Sequence, residues 1–278
     1  MMSSATTGLQ RRRLIGDSLA LARFALDPNA FRAPRIVINC MPKTGSTSLM
    51  TILAHLPGMK TAKLYPFSGH REQEMSRVCL ARAGKGPLVA QIHCKYSSHT
   101  AELLTRFKLS QVLLRRDLFD VCVSLRDHIL NDKDRWPIES SPTLQFDVPP
   151  ATLDEEELLV YICRVAMPWY INYHVGWRSR PGYLALRYED MIRDMHGTVA
   201  EVVAYAGAGF SDAEITQAID AASKRPTRRN VGVAGRGRTL PRKAVTALRE
   251  IIEAAPGRKG DPYLTEMLEV AETYLAAA

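Results

Sequence analysis

A chain of 278 residues with 46% hydrophobic and 24% charged residues has the composition of an ordinary globular protein, long enough for one large domain or two small ones. Its formal net charge of +8 indicates an anionic ligand, which leaves a nucleotide, an acidic glycan and nucleic acid as alternatives. The five cysteines are scattered and form no Cys-x-x-Cys pair. This excludes the usual patterns of zinc sites and disulfide frameworks and favours a reducing, cytoplasmic location.

The first 30 residues are expected to form a helical extension, because residues 11–26 begin with three arginines and continue with an amphipathic pattern. Packing of this helix against the rest of the chain is the favoured interpretation, and peripheral contact with a membrane is the alternative. No apolar run reaches the roughly 18 residues that a membrane span needs. Residues 31–278 are expected to form a single domain.

Apolar runs and helical patterns alternate along the rest of the chain. The predicted strands are Arg35–Cys40, Pro87–Cys94, Gln111–Arg115 and Tyr183–Arg187. The predicted helices are Gly45–His55, Ser97 or Ser98 to Phe107, a segment ending near Leu130, a long helix from Asp154, a helix opened by the capping box Ser211–Glu214, and two helices near 241–254 and 262–276. This alternation predicts an α/β fold with a mainly parallel central sheet flanked by helices on both faces, a three-layer sandwich of the nucleotide-kinase type.

The segment between the first strand and the first helix, residues 42–48, reads Pro-Lys-Thr-Gly-Ser-Thr-Ser, and we name it the anion loop. Backbone N–H groups at a helix start carry partial positive charge and bind anions, and a glycine lets the backbone approach closely. The candidate ligands of a phosphate-like group are Lys43, Thr44, Gly45, Ser46, Thr47 and Ser48. The loop differs from a standard P-loop, because its lysine precedes the glycine and no upstream glycine has the required spacing.

A second anion-binding pattern follows the third predicted strand. Arg116 ends that strand, and Ser124 lies about two helical turns further on. A forked guanidinium suits phosphate, and a serine adds a neutral hydroxyl. The alternative is a local ion pair between Arg116 and Asp120 at the start of a helix.

The octamer Pro-Lys-Thr-Gly-Ser-Thr-Ser-Leu closely resembles the 5′-phosphosulfate-binding loop of sulfotransferases that use 3′-phosphoadenosine 5′-phosphosulfate (PAPS). Residues 116–124 resemble the 3′-phosphate-binding segment of that family, Arg-Asp/Asn-Pro-x-Asp-x-x-x-Ser, with Leu118 in place of the proline. A basic run near residue 230 sits where the family has a C-terminal Arg-Lys-Gly…Gly loop over the 3′-phosphate. The candidates for that contact are Arg228, Arg229 and Arg236.

His93 follows an apolar run that is predicted to be the second strand. In this family a strand in this position commonly ends near a catalytic histidine, often as Lys-x-His, and Gln91 stands here in place of that lysine. The resemblance therefore implies His93 as the catalytic base. It also covers the Tyr-Glu-Asp motif that ends in Glu189 and Asp190, which are expected to brace the sheet and cap a helix rather than react.

The resemblance implies transfer of a sulfuryl group from PAPS to a hydroxyl or, as the second choice, an amine, with 3′-phosphoadenosine 5′-phosphate (PAP) as product. Lys43 would neutralise charge on the bridging oxygen, and no metal is implied. The expected acceptor is a carbohydrate, a lipid-linked compound or a small molecule. Residues 59–86 and the polar, proline-rich loop 131–151 match nothing known and are expected to shape its site. The oligomeric state stays open.

Two alternative functions belong to other classes. An ATP-dependent phosphotransferase of related fold is disfavoured, because the chain has no convincing Walker lysine or metal-binding acid. A non-catalytic protein that binds nucleic acid or an acidic glycan would also explain the basic charge. A nucleic-acid partner is not expected, because the basic run lacks interleaved aromatic residues for base stacking.

Overall fold

The computed structural model describes residues 33–66, 72–131, 144, 146, 148–224 and 232–277. The predicted N-terminal helix therefore lies outside the described residues, as do Arg228, Arg229 and most of the loop 131–151. The predictions made for those segments stay predictions.

Five parallel strands form the central sheet, in the order β2-β3-β1-β4-β5. They are β1 (Arg35–Cys40), β2 (Lys60–Thr61), β3 (Leu88–Ile92), β4 (Ser110–Arg115) and β5 (Tyr183–Arg187). The mainly parallel sheet and its four predicted strands are confirmed, with β3 shorter than expected. Strand β2 was not predicted, because a two-residue edge strand is too short to carry an alternating pattern.

Eleven α-helical segments surround the sheet within the described part of the chain. They are α1 (Ser46–His55), α2 (Arg77–Ala83), α3 (Ser98–Arg106), α4 (Leu118–Asn131), α5 (Glu155–Tyr161), α6 (Met167–Arg178), α7 (Tyr188–Arg193), α8 (Met195–Tyr205), α9 (Asp212–Ser223), α10 (Arg242–Ala254) and α11 (Pro262–Ala277). Of these, α2, α7 and α8 were not predicted. None of the described helices combines the length and apolarity needed to cross a membrane.

The predicted long helix from Asp154 is present but interrupted. Asp154 caps it by accepting hydrogen bonds from two backbone N–H groups of its first turn, and a π-helical turn at Ile162–Ala166 separates α5 from α6. Pro168 lies at the start of α6. A proline has no N–H to donate and clashes with the preceding turn, which accounts for the wider turn at this point.

Two hydrophobic layers cover the two faces of the sheet. On one face, Ile36 and Ile38 of β1 pack with the apolar residues of α1, α8 and α9. On the other face, Val37 packs with α4, α6 and the two C-terminal helices. Because successive side chains of a strand point to opposite faces, β1 is buried on both sides, and its centre is the apolar run Ile36, Val37 and Ile38 between the buried polar residues Arg35 and Asn39. Its carboxyl end therefore opens between the two layers, beside the ends of β3 and β4.

Candidate active site

The anion loop joins β1 to α1 in a strained conformation. Lys43 and Gly45 both adopt left-handed backbone angles, with φ of 67° and 78°. Thr44 is fully buried, and its hydroxyl donates to the carbonyl of Met41 at 2.8 Å, so its side chain holds the loop in shape. Strain of this kind at a non-glycine residue clusters at functional sites.

The first turn of α1 is open to an external anion. Among the described residues no side chain caps the helix, and its first turn contains no acidic residue. Its backbone N–H groups therefore present the positive end of the helix to the space beyond the loop. Ser46 is buried, whereas Thr47 and Ser48 are half-buried. The loop predicted as an anion site thus has the backbone geometry that such a site requires.

Tyr188, the first residue after β5, ties the anion loop to Arg116. A Cβ atom at Gly45 would lie 2.8 Å from the Tyr188 ring, so only glycine fits at this position. The Arg116 guanidinium carbon lies 4.0 Å from the centroid of the same ring, in a cation–π contact. Arg116 also donates from Nη1 to the carbonyl oxygen of Lys43 at 3.1 Å. The two predicted anion-binding segments therefore meet.

His93 lies directly after β3, at the same edge of the sheet. Its Nδ1 is 2.8 Å from the carbonyl oxygen of Cys40 and 3.4 Å from the Cys40 sulfur. Its Nε2 is 3.3 Å from Nε2 of Gln91, which also donates to the Ser46 hydroxyl at 2.8 Å. The backbone N–H of His93 donates to the side-chain oxygen of Gln73 at 2.8 Å. The predicted base is therefore held on both ring nitrogens and connected to the anion loop.

The pKa of His93 lies above its ordinary value. Burial by itself lowers this pKa, but the electrostatic interaction with the Cys40 side chain and the hydrogen bonds to Cys40 raise it and outweigh the effect of burial. A histidine with a raised pKa is a stronger base, which suits removal of a proton from a weakly acidic group.

The side chains of Arg116 and Asp120 form a buried ion pair at 3.2 Å, with 6% and 0% of their surfaces exposed. Nη2 of Arg116 also donates to the carbonyl oxygen of Val233 at 3.1 Å. The local ion pair considered as the alternative is thus present. Within the described residues, Nε of Arg116 is buried and has no hydrogen-bond partner, so the guanidinium keeps at least this donor unused.

Asp120 also anchors residues 232–239, which we name the glycine loop. Its carboxylate accepts hydrogen bonds from the backbone N–H groups of Gly235 at 3.0 Å and Gly237 at 2.7 Å. A Cβ atom at Gly237 would lie 2.4 Å from Cβ of Phe119, so a side chain is excluded there. The described part of the segment predicted to cover the 3′-phosphate, residues 232–238, therefore lies against the start of α4, beside Arg116.

Ser124 and Arg236 have different surroundings. Ser124 lies one helical turn beyond Asp120 on the same face of α4, is 4% exposed, and makes no side-chain hydrogen bond within the described residues. Arg236 donates to Asp127 at 2.5 Å. Burial raises the pKa of Asp127, but the hydrogen bonds from Arg236 and Arg126 outweigh this effect and lower it. Arg236 is therefore engaged in an ion pair at the edge of the glycine loop.

Asp117 and Leu118 form the turn into α4. Asp117 accepts hydrogen bonds from the N–H groups of Phe119 at 2.7 Å and Asp120 at 3.0 Å, and burial raises its pKa to about 7. The N–H of Leu118, which a proline would lack, donates to the Met267 sulfur at 3.4 Å. Leu118, which stands where the resembled pattern has a proline, thus makes a backbone contact with the last helix that a proline could not make.

Sequence reasoning missed three parts of this site. It assigned no role to Tyr188, no contact to Asp120 beyond its own helix, and no partner to Gln91. The position of Tyr188 directly after a strand was a usable signal, since strand ends meet at one edge of a parallel sheet. Glu189, expected to brace the sheet, accepts a hydrogen bond from the Asp117 N–H at 3.0 Å. Asp190 pairs with Arg193 at 2.7 Å on the surface.

The fold and the site together define a class of α/β protein with two adjoining segments that are predicted to bind anions and a histidine beside them. The sulfotransferase domain family matches residues 33–234, and the chain belongs to this family. A comparison with curated proteins finds no match. Within the described ranges, no group of three or more His, Cys, Asp or Glu residues could hold a metal ion.

Solved structures with the same fold are distant in sequence. Mouse sulfotransferase SULT7A1 complexed with PAP is 14% identical with a TM-score of 0.60, and the alignment covers 90% of this chain and 94% of that one. Sulfotransferase STF9 from Mycobacterium avium is 15% identical with a TM-score of 0.51, over 87% and 83% of the two chains. Retinol dehydratase complexed with retinol and PAP is 13% identical with a TM-score of 0.51, over 85% and 86%.

Proposed function

We propose that this sulfotransferase transfers the sulfuryl group of PAPS to a hydroxyl group by in-line displacement, with an amine as the second choice of acceptor. The observation that carries the proposal is the meeting of the anion loop, His93 and Arg116 at the carboxyl ends of β1, β3 and β4. Membership of the family supports sulfuryl transfer in general, and the contacts of these residues support the roles below.

His93 acts as the base. Carbonyl oxygens only accept hydrogen bonds, so the contact with Cys40 O places the proton of the neutral imidazole on Nδ1 and leaves the lone pair on Nε2. The acceptor hydroxyl replaces the Gln91 amide beside Nε2, and Nε2 takes its proton as the acceptor oxygen bonds to sulfur. The bond from sulfur to the bridging oxygen breaks in the same step, and PAP leaves.

Lys43 and the anion loop stabilise the charge that develops on the leaving group. The left-handed backbone at Lys43 and Gly45 turns the loop around the start of α1, where its N–H groups are oriented before the reaction. Preorganised donors of this kind lower the barrier, because they need not reorient as charge develops. Lys43 neutralises the bridging oxygen, and the hydroxyls of Ser46, Thr47 and Ser48 complete the phosphosulfate site.

Arg116 and Ser124 bind the 3′-phosphate of the donor and hold it in register, with Arg228, Arg229 and Arg236 as the candidates for a further contact. The Nε donor of Arg116, which has no partner among the described residues, and the buried hydroxyl of Ser124 support this assignment. The engagement of Arg236 with Asp127 makes the other two arginines the better candidates. Correct orientation of the donor is itself a large part of catalysis.

The acceptor is proposed to be a hydroxyl-bearing small molecule, a carbohydrate or a lipid-linked compound, bound beside residues 59–86 and the loop 131–151. One solved structure of the same fold is complexed with retinol, a small alcohol. The five cysteines are all free thiols, which supports a reducing, cytoplasmic location.

Thermal stabilisation by three ligands in parallel tests the donor. PAP, ATP with Mg²⁺, and an oligonucleotide are each titrated against the protein, and selective stabilisation by PAP at low concentration is expected. Stabilisation by ATP with Mg²⁺ alone would indicate a phosphotransferase. A salt-sensitive effect of the oligonucleotide alone would indicate a nucleic-acid-binding protein.

Turnover is tested with labelled PAPS against a panel of acceptors. His93→Ala is expected to abolish most transfer while the stabilisation by PAP persists, because the imidazole takes the acceptor proton and does not bind the phosphates. Unchanged transfer in this variant would remove His93 from the role of base.

A further inference from the structure

Gln91 is the neutral side chain that connects the anion loop to His93. It lies on β3, two residues before the histidine, and its Nε2 is 2.8 Å from the Ser46 hydroxyl and 3.3 Å from His93 Nε2. The family pattern has a lysine at this position. We infer that Gln91 is a positioning residue whose amide, together with the Cys40 carbonyl oxygen, fixes which nitrogen of His93 carries the proton and keeps the base in register with the anion loop.

When the imidazole is neutral, its hydrogen-bond partners allow only one position for the ring proton. Nδ1 faces the Cys40 carbonyl oxygen at 2.8 Å and must donate to it, so Nε2 has no proton and must accept. The group facing Nε2 is therefore the NH₂ of Gln91, which has two hydrogens for two acceptors, His93 Nε2 and Ser46 Oγ. The Ser46 hydroxyl keeps its own hydrogen free to donate to an anion.

An amide can also form a hydrogen bond with the protonated ring. When Nε2 gains a proton it becomes a donor, and the Gln91 amide can turn so that its oxygen accepts from Nε2. A lysine ammonium has no acceptor and would repel the imidazolium. Cys40 is the titratable side chain that contacts the ring in the described structure, and the other side chain that faces it, Gln91, is neutral. Gln91 therefore permits a more basic His93 than a lysine would.

This inference rests on the proposed role of His93 as base, but its test needs neither donor nor acceptor. The test is ¹⁵N NMR of the histidine side chains in the full-length protein, with His93 assigned by comparison with His93→Ala. At a pH where the ring is neutral, a protonated Nδ1 and an unprotonated Nε2 are expected. A proton on Nε2 would overturn the inference, and because this measurement uses the wild-type protein it decides even if a variant folds poorly.

Two substitutions sharpen the test. Gln91→Lys is expected to lower the protonation constant of His93 about tenfold, because it places a like charge beside the ring. Gln91→Met, of similar length and without polar atoms, is expected to remove the preference for a proton on Nδ1 in part. An unchanged tautomer and protonation constant in both variants would contradict the inference.

Gln73→Met is the matched control. Gln73 contacts the backbone N–H of His93 and not its ring, so this variant is expected to leave the tautomer as in the wild type. A tautomer change of equal size in Gln73→Met and Gln91→Met would indicate a general disturbance of this edge of the sheet. PAP stabilisation is measured on the same samples, so a failure of the proposed donor is seen separately from a failure of the Gln91 inference.

Discussion

Arg116 is held in place by several contacts and is proposed to bind the 3′-phosphate. Its guanidinium is paired with Asp120 and donates to the carbonyl oxygens of Lys43 and Val233, which fixes its position. Its Nε remains without a partner in a buried position. A buried arginine held in this way is preorganised, so binding a phosphate would cost little side-chain entropy.

Replacing Arg116 is expected to weaken the binding of ligands that carry a 3′-phosphate more than the binding of ligands that lack it. Arg116→Lys keeps the charge but loses the fork, so affinity for PAP should fall about tenfold or more, since a hydrogen bond to a charged group contributes about 1.5–3 kcal/mol. Affinity for adenosine 5′-phosphate, which has no 3′-phosphate, should change much less. Isothermal titration calorimetry with both ligands measures the difference.

The neighbouring arginine provides the control for that comparison. Arg115 points away from the site, with Nη1 3.2 Å from Nδ1 of His174. Arg115→Lys is therefore expected to preserve the preference for PAP over adenosine 5′-phosphate. Equal losses of both ligands in Arg116→Lys would count against a 3′-phosphate contact.

One buried carboxylate makes two of the hydrogen bonds between α4 and the glycine loop. Asp120 is fully buried and compensates the Arg116 charge while it accepts from two backbone N–H groups of the loop. Removing one partner of a buried ion pair leaves an uncompensated charge, which is far more costly than losing an exposed pair. The attachment of this loop is therefore concentrated at the first turn of α4.

Asp120→Ala is expected to lower the free energy of unfolding by about 3–5 kcal/mol. Asp127→Ala removes the more exposed ion pair with Arg236, which joins the same helix to the same loop, and the pair with Arg126, and is expected to cost about 1 kcal/mol. Urea denaturation of both variants measures the difference. Similar losses for the two would mean that burial of the Asp120 pair does not decide how the loop is held.

A second buried polar cluster joins three parts of the whole molecule. His174 of α6 lies 2.8 Å from the carboxylate of Asp261, which precedes α11, and 3.2 Å from Arg115 at the end of β4. Arg178 pairs with the same carboxylate at 2.8 Å. Burial lowers the pKa of His174 to about 4, against the opposing effect of Asp261. The last helix is thus attached to the sheet through a neutral histidine.

This cluster predicts a loss of stability in acid. A histidine whose folded-state pKa is about 4 and whose unfolded-state pKa is about 6.5 stabilises the fold above pH 6.5, and this contribution is lost as the pH falls toward 4. The shift corresponds to about 3 kcal/mol at most. Asp117, with its pKa raised to about 7, acts in the opposite direction over the same range.

The test therefore compares variants rather than absolute stabilities. Urea denaturation at pH 7, 5.5 and 4.5 is expected to show a smaller decline for His174→Gln than for the wild type, although the variant is less stable at pH 7. Parallel declines would indicate that His174 does not carry the pH dependence. His196, whose ring lies at the surface, provides the control variant His196→Gln.

Residues that lie close together in the sequence determined most of the strands and helix starts of this protein. Apolar runs marked the four longer strands, capping residues such as Asp154 and Ser211 marked helix starts, and the anion loop and His93 were visible as strand ends. These features could be predicted because they depend on residues within a few positions of one another, through backbone hydrogen bonds and side-chain periodicity. The parallel sheet then followed from the alternation of strands and helices.

The contacts that complete the site depend on residues far apart in the chain. Gln91 meets Ser46 across 45 positions, Asp120 meets Gly237 across 117, and His174 meets Asp261 across 87. No local pattern encodes such pairs, because they form only when the sheet aligns the strand ends and the helices pack over them. The sequence thus placed the anion loop, His93 and the segment of Arg116 at strand ends, and their roles in binding and catalysis stay predictions. The three-dimensional packing decided the position of the proton on His93, the ion pair between Arg116 and Asp120, and the contact of Asp120 with the glycine loop.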